Sequence, residues 1–147
     1  MENFAQTLGG IQQDLLKLKV VLLAEYDALQ VIQRDPLVLQ AITDEKNSLL
    51  AALNYYDKLR LDEEKRLRLI APYAENADFG ELWQGIVQLT LELKALNMQN
   101  GELMEQQMAI VNDIRKVISR TSLGQMVYGE NGQSQAGANF NRLNINI

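Results

Sequence analysis

Cysteine and histidine are absent from this chain, and proline occurs only at positions 36 and 72. Without thiols there are no disulfides and no thiolate nucleophile. Without imidazole there is no Ser–His dyad, no ordinary zinc site and no unperturbed side chain titrating near neutrality. The lack of cysteine is compatible with a reducing compartment. Positive charge is scarce too: 14 Lys and Arg stand against 19 Asp and Glu, and the resulting net charge of −5 disfavours nucleic acid and anionic membranes as partners. The start Met1-Glu2-Asn3 has no basic region, and the longest early apolar run, Val20 to Ala24, falls far short of a membrane span. These absences lead to the expectation of a soluble, cytoplasmic, acidic protein that is not an enzyme, with no cofactor, no metal and no membrane insertion.

What is present is helical periodicity. The 147 residues are 47% apolar, enough for one domain with a core. Phe4, Leu8, Ile11, Leu15, Leu18 and Leu22 alternate by four and three, and Tyr26, Leu29 and Ile32 extend the stripe. The spacing predicts a helix over about 3–33, with Gly9-Gly10 as a soft first turn. Asp35 suits an N-cap and Pro36 the first helical position of a second helix over about 36–70. Leu39, Ile42, Leu49, Leu53 and Tyr56 face inward in this reading, and the mixed-charge stretch Asp57 to Arg68 forms a solvated face. The short link makes the first two helices antiparallel neighbours.

After the break at Ala71-Pro72, Asp78 with Glu81 matches a capping box and opens a third helix over about 79–118. Its stripe is the most regular: Leu82, Ile86, Leu89, Leu93, Leu96, Asn100, Leu103, Gln107, Ile110, Ile114 and Val117. Such a repeat implies shallow packing with knobs seated in holes. The expected fold is all-α: an antiparallel bundle or coiled-coil hairpin of three long helices over residues 1–118. From Ser119 the last 29 residues carry four glycines and five asparagines. That composition cannot offset chain entropy of about 1 to 2 kcal/mol per ordered residue, so 119–147 reads as a disordered tail.

Polar residues interrupt the third stripe at Asn97-Met98-Gln99-Asn100-Gly101, and again at Gln107. Two accounts stay open. A polar seam residue can fix register, with Gly101 allowing a close crossing. Alternatively the seam is left partly unfilled, so that a partner helix completes it and can leave again. Met98, Met104 and Met108 suit either gap filling or an adaptable binding surface. Glu25 falls where the first stripe expects an apolar residue, and Lys46 on the neighbouring helix is its natural counter-charge. Tyr128, between glycines, is either a binding hot spot of about 2 kcal/mol or more, or a residue packed back on the bundle.

Four segments, in order, resemble the FlgN family of flagellar export chaperones. They are Leu22 to Glu25, Ile42 to Leu53, Leu96 to Leu103 with Gln107, and Tyr128 to Gln133, and the likeness extends over nearly the whole chain. The patterns L-N-x-x-N-G-x-L and Y-G-x-x-G-Q are the specific pieces. The resemblance implies a chaperone of type III flagellar export that binds C-terminal helical segments of the hook–filament junction proteins FlgK and FlgL. It further implies delivery to the export gate protein FlhA. Carried onto this chain, client binding falls on Asn97, Asn100, Gly101, Leu103, Met104, Gln107, Ile110 and Ile114. Gate binding falls on Tyr128, with Gly129, Gly132 and Gln133. A structural coiled-coil or adaptor protein that only self-associates, as a homodimer for instance, is the alternative reading.

Overall fold

A computed structural model describes residues 2–31 and 35–120. All regular structure among them is helical: α1 (Glu2–Leu29), α2 (Pro36–Leu67) and α3 (Ala77–Ser119). The expected α-helical bundle is therefore observed. The expected tail, from residue 121 onward, and Ile32 lie outside the described residues.

Cross-helix contacts fix the directions. Thr7 Oγ1 donates to Glu63 Oε1 at 2.8 Å near one end, and Glu25 pairs with Lys46 near the other, so α1 and α2 are antiparallel. Phe4 meets Phe79, Lys19 Nζ lies 2.6 Å from Glu92 Oε1, and Asn100 reaches the Leu22 carbonyl, so α3 runs parallel to α1. α1 is the central rod, packed against both others, while the backbones of α2 and α3 make no close approach. Their side chains meet over it. This explains why α1 carries the most complete stripe: Phe4, Leu8, Ile11, Leu15, Leu18, Leu22 and Leu29 are all fully buried. Burying each such side chain contributes roughly 1.5 to 3 kcal/mol.

The local signals hold at some boundaries and move at others. Asp35 caps α2 as expected, its side chain accepting from the Leu37 N–H at 2.9 Å, with Pro36 just inside. α2 ends at Leu67 rather than Ile70, because Arg68 turns into the left-handed region (φ 58°) and closes the helix through its N–H to the Glu64 carbonyl. α1 stops at Leu29, where the amides of Gln30 and Val31 turn back onto Asp27 and Ala28. The N-cap of α3 is Asn76, not Asp78: Asn76 Oδ1 accepts from the Phe79 N–H at 3.1 Å. Gly10 is no soft turn either. It lies inside α1, and a Cβ there would stand 3.0 Å from the Tyr56 ring, so glycine lets α2 approach.

Two corrections concern the seams. In α3 the innermost positions are Phe79, Trp83, Ile86, Thr90, Leu93, Asn97 and Asn100, while Leu82, Leu89 and Leu96 sit half-buried on the flank. The stripe is rotated by about one residue, because a helix seated over two neighbours presents the bisector between them. Thr90 is tolerated there since its hydroxyl donates to the Ile86 carbonyl at 2.7 Å. The stretch from Asp57 is not a solvated face at its start: Asp57 and Arg60 are buried. Arg60 Nε donates to Asp57 Oδ1 at 2.8 Å, Nη1 donates to Glu64 Oε2 at 2.9 Å, and the guanidinium carbon lies 4.5 Å from the centre of the Trp83 ring. Carboxylate partners and an aromatic face together make a buried arginine stable.

Candidate functional site

Along the first four-fifths of α1 the interior is apolar. At Glu25 it changes, because the rhythm 15, 18, 22, 25, 29 continues while the residue type does not. Glu25 is 2% exposed and its carboxylate would be costly there alone. Lys46, also on its helix's inward face, puts Nζ 3.1 Å from Glu25 Oε1 and donates to Asn97 Oδ1 at 2.5 Å. Asn100 Nδ2 donates to the same Glu25 oxygen and to the Leu22 carbonyl, both at 2.9 Å. One polar layer thus joins all three helices. Burial pulls the Lys46 ammonium below its usual value, against the charge of and hydrogen bond to Glu25 that hold it up. Asn100 Oδ1 is buried with no hydrogen-bond partner among the described residues.

Beyond that layer α3 leaves the bundle. Its 43 residues extend about 63 Å and the 28 of α1 about 41 Å. The last direct tie is Gln107, whose Nε2 donates to the carbonyl of Leu29, the final residue of α1. That oxygen is one of the four a helix end leaves without an internal partner, so α3 supplies the cap. From there the stripe continues at Ile110, Ile114 and Val117, but nothing among the described residues covers it: they are 59%, 53% and 61% exposed, with Val111 beside them. The α1–α2 end adds exposed Val31, Leu37 and Val38 to the same end of the molecule. An exposed apolar face of this kind marks a site of protein contact.

The residues expected to bind a client divide accordingly. Asn97 and Asn100 face the interior, 4% and 2% exposed, and serve the polar layer. Gly101 is exposed; Leu103, Met104 and Gln107 are half-buried against the end of the bundle. Ile110 and Ile114 stand free on the outer segment. Tyr128, Gly129, Gly132 and Gln133 lie outside the described residues. Sequence reasoning did not mark Arg60 as a buried centre or Lys46 as a seam residue. The signal was available, since Lys46, Leu53 and Arg60 repeat at sevens on α2.

The opposite end carries no comparable opening. Phe4 stands edge-on to Tyr73 (5.1 Å) and Phe79 (5.0 Å), and Tyr73 to Trp83 (5.5 Å). Tyr73 holds a left-handed backbone (φ 60°), which turns its ring inward, and its hydroxyl donates to Glu64 Oε2 at 2.6 Å. Burial, together with that bond to Glu64, pushes the phenol well above its usual value. Two open grooves of about 550 Å³ flank α3 there, one lined by Gln12, Glu81 and Gly85, the other by Pro72, Gly80, Trp83 and Val87. Among the described residues no group of three or more acidic side chains is placed to hold a metal, and no helix is long and apolar enough to cross a membrane.

Comparison with known proteins agrees with the sequence pattern. A family model described as "FlgN protein" matches residues 1–136. The "Flagella synthesis protein FlgN" of Yersinia enterocolitica is 35% identical over 138 residues, 93% of either chain. The proteins of that name from Salmonella typhimurium and Escherichia coli are 35% and 31% identical over 134 residues, 91% of each chain. No solved structure matches the chain.

Proposed function

The chain belongs to the FlgN family of flagella synthesis proteins, and from that premise we propose that it is a cytoplasmic export chaperone. Its clients are the C-terminal helical segments of the junction proteins FlgK and FlgL, which it delivers to the export gate protein FlhA. It acts by binding alone, with no chemical step. The observation that carries this reading is the uncovered continuation of the α3 seam over Ile110, Ile114 and Val117. A secreted helix whose own apolar stripe is exposed before assembly finds on it the partner face that an amphipathic helix needs. A handful of buried aliphatic side chains at about 1.5 to 3 kcal/mol each supports roughly micromolar binding once ordering is subtracted.

The buried placement of Asn97 and Asn100 shifts the client surface towards Leu103, Met104, Ile110 and Ile114, with Gly101 exposed at its base. Gate contact is assigned to Tyr128, with Gly129, Gly132 and Gln133. Co-purification of the full chain with the C-terminal segments of FlgK and FlgL tests the reading. Ile110→Asp with Ile114→Asp abolishes capture, and Tyr128→Ala preserves capture while weakening binding to FlhA. Capture that survives the double substitution places the client elsewhere. Self-association of the same face is the competing use, and it predicts a concentration-dependent dimer in sedimentation that the same double substitution dissolves.

A further inference from the structure

Helical glycine is retained where a neighbour comes close or the backbone turns left-handed, and Gly101 shows neither circumstance. A Cβ at Gly101 would meet nothing within 4 Å, and no described glycine has positive φ. Gly10 and Gly80 differ, since a Cβ there would press on the Tyr56 ring at 3.0 Å or the Tyr73 carbonyl oxygen at 3.4 Å. Gly101 also sits at the point where packing changes. Before it, Leu93, Asn97 and Asn100 are buried; after it, Leu103 is only half-buried and residues 109–114 are exposed. The preceding residue adds a weakness of its own, the buried Asn100 Oδ1 that has no partner among the described residues.

We propose that Gly101 is a hinge and that residues 102–119 form an arm, latched to the bundle by the Gln107 side chain on the Leu29 carbonyl, which opens as a unit while residues 77–100 stay packed. The glycine weakens the helix at the joint, the lone amide-to-carbonyl bond holds the arm in line, and little apolar burial opposes its release. Its use, to admit and release a helical client on the Ile110 face, rests on the function proposed above. The hinge itself does not.

Residue-resolved amide hydrogen exchange on the full chain, without any client, tests it. Gly9 is the control: it too is helical and has open space for a Cβ, but it lies between the fully buried Leu8 and Ile11. Gly101→Ala slows exchange of the amides of residues 103–112 about fivefold, equivalent to about 1 kcal/mol of helix propensity. Gly9→Ala leaves those arm amides unchanged and slows only amides of the packed bundle. Gln107→Ala speeds the arm amides and spares residues 86–97. Arm amides that respond equally to Gly101→Ala and Gly9→Ala, or to neither, overturn the hinge. Arm opening of the expected kind with no capture of junction-protein segments leaves the hinge standing and removes the proposed client.

Discussion

The two ends of this bundle are built from different interactions. At the end holding both the α1 N-terminus and the α2–α3 connection, Phe4, Tyr73, Phe79 and Trp83 interlock edge to face, and Arg60 fills the remaining volume between Trp83, Asp57 and Glu64. At the other end a single layer of Glu25, Lys46, Asn97 and Asn100 closes the interior, and α3 then continues without cover. Aromatic side chains bury large areas and leave few polar groups to satisfy, so the first end is held by packing. The polar layer brings little net stability but tolerates only one alignment, because every donor and acceptor needs its partner. One end anchors the fold; the other sets the register at which α3 emerges.

The sharpest test of that contrast is Trp83→Ala. It empties the aromatic end and exposes the face on which Arg60 lies, and it should cost about 3 to 5 kcal/mol in urea unfolding followed by circular dichroism. Lys46→Met comes next, at about 3 kcal/mol, because it strands the Glu25 carboxylate in an apolar site. Glu25→Leu combined with Lys46→Met restores most of that loss, since an apolar pair of similar volume serves stability as well as an ion pair does. If the double variant is as unstable as the single one, the polar layer is contributing stability and the contrast fails.

The buried charges at the two ends also respond to pH in opposite senses, a smaller effect. Burial raises the Asp57 carboxyl above its usual 3.8 despite the opposing Arg60 charge, so the folded state holds that proton more tightly than the unfolded chain. Relative to Asp57→Asn, the protein therefore gains stability as pH falls towards 3.8 and loses it as pH rises through the folded value. Lys46 is lowered from 10.5, so its folded form holds the proton less tightly. Relative to Lys46→Met, stability rises as pH climbs from the folded value towards 10.5. Parallel melts of the three proteins across pH 4 to 10 read both slopes. The smallest effect belongs to Ile114→Asp, within about 0.5 kcal/mol, since Ile114 is already exposed. A larger loss would mean that the outer segment of α3 is covered in the free protein.

Much of this was legible along the chain. The α1 stripe, the Asp35–Pro36 start of α2 and the pairing of Glu25 with Lys46 follow from spacing, capping chemistry and the cost of an unpaired carboxylate. The candidate site was legible only in part. Ile110 and Ile114 continue a visible stripe, but the same stripe gave Asn97 and Asn100 an outward role that their burial removes. A charged side chain at a heptad position reads as solvated until its partners are known. Arg60 required a ring from α3 and a hydroxyl from the connection, and neither Trp83 nor Tyr73 is near it in the chain.

The amino-acid order alone settled that there are three long rods, where two of the breaks fall, and which family the chain resembles, because periodicity and chain-breaking residues act over a few positions. Three matters depended on the assembled molecule: which of two adjacent stripes on α3 turns inward, which charges sink into the interior, and how far α3 outruns its neighbours. Each depends on side chains arriving from other helices and on comparing the lengths of rods distant in sequence, quantities to which no local spacing rule has access.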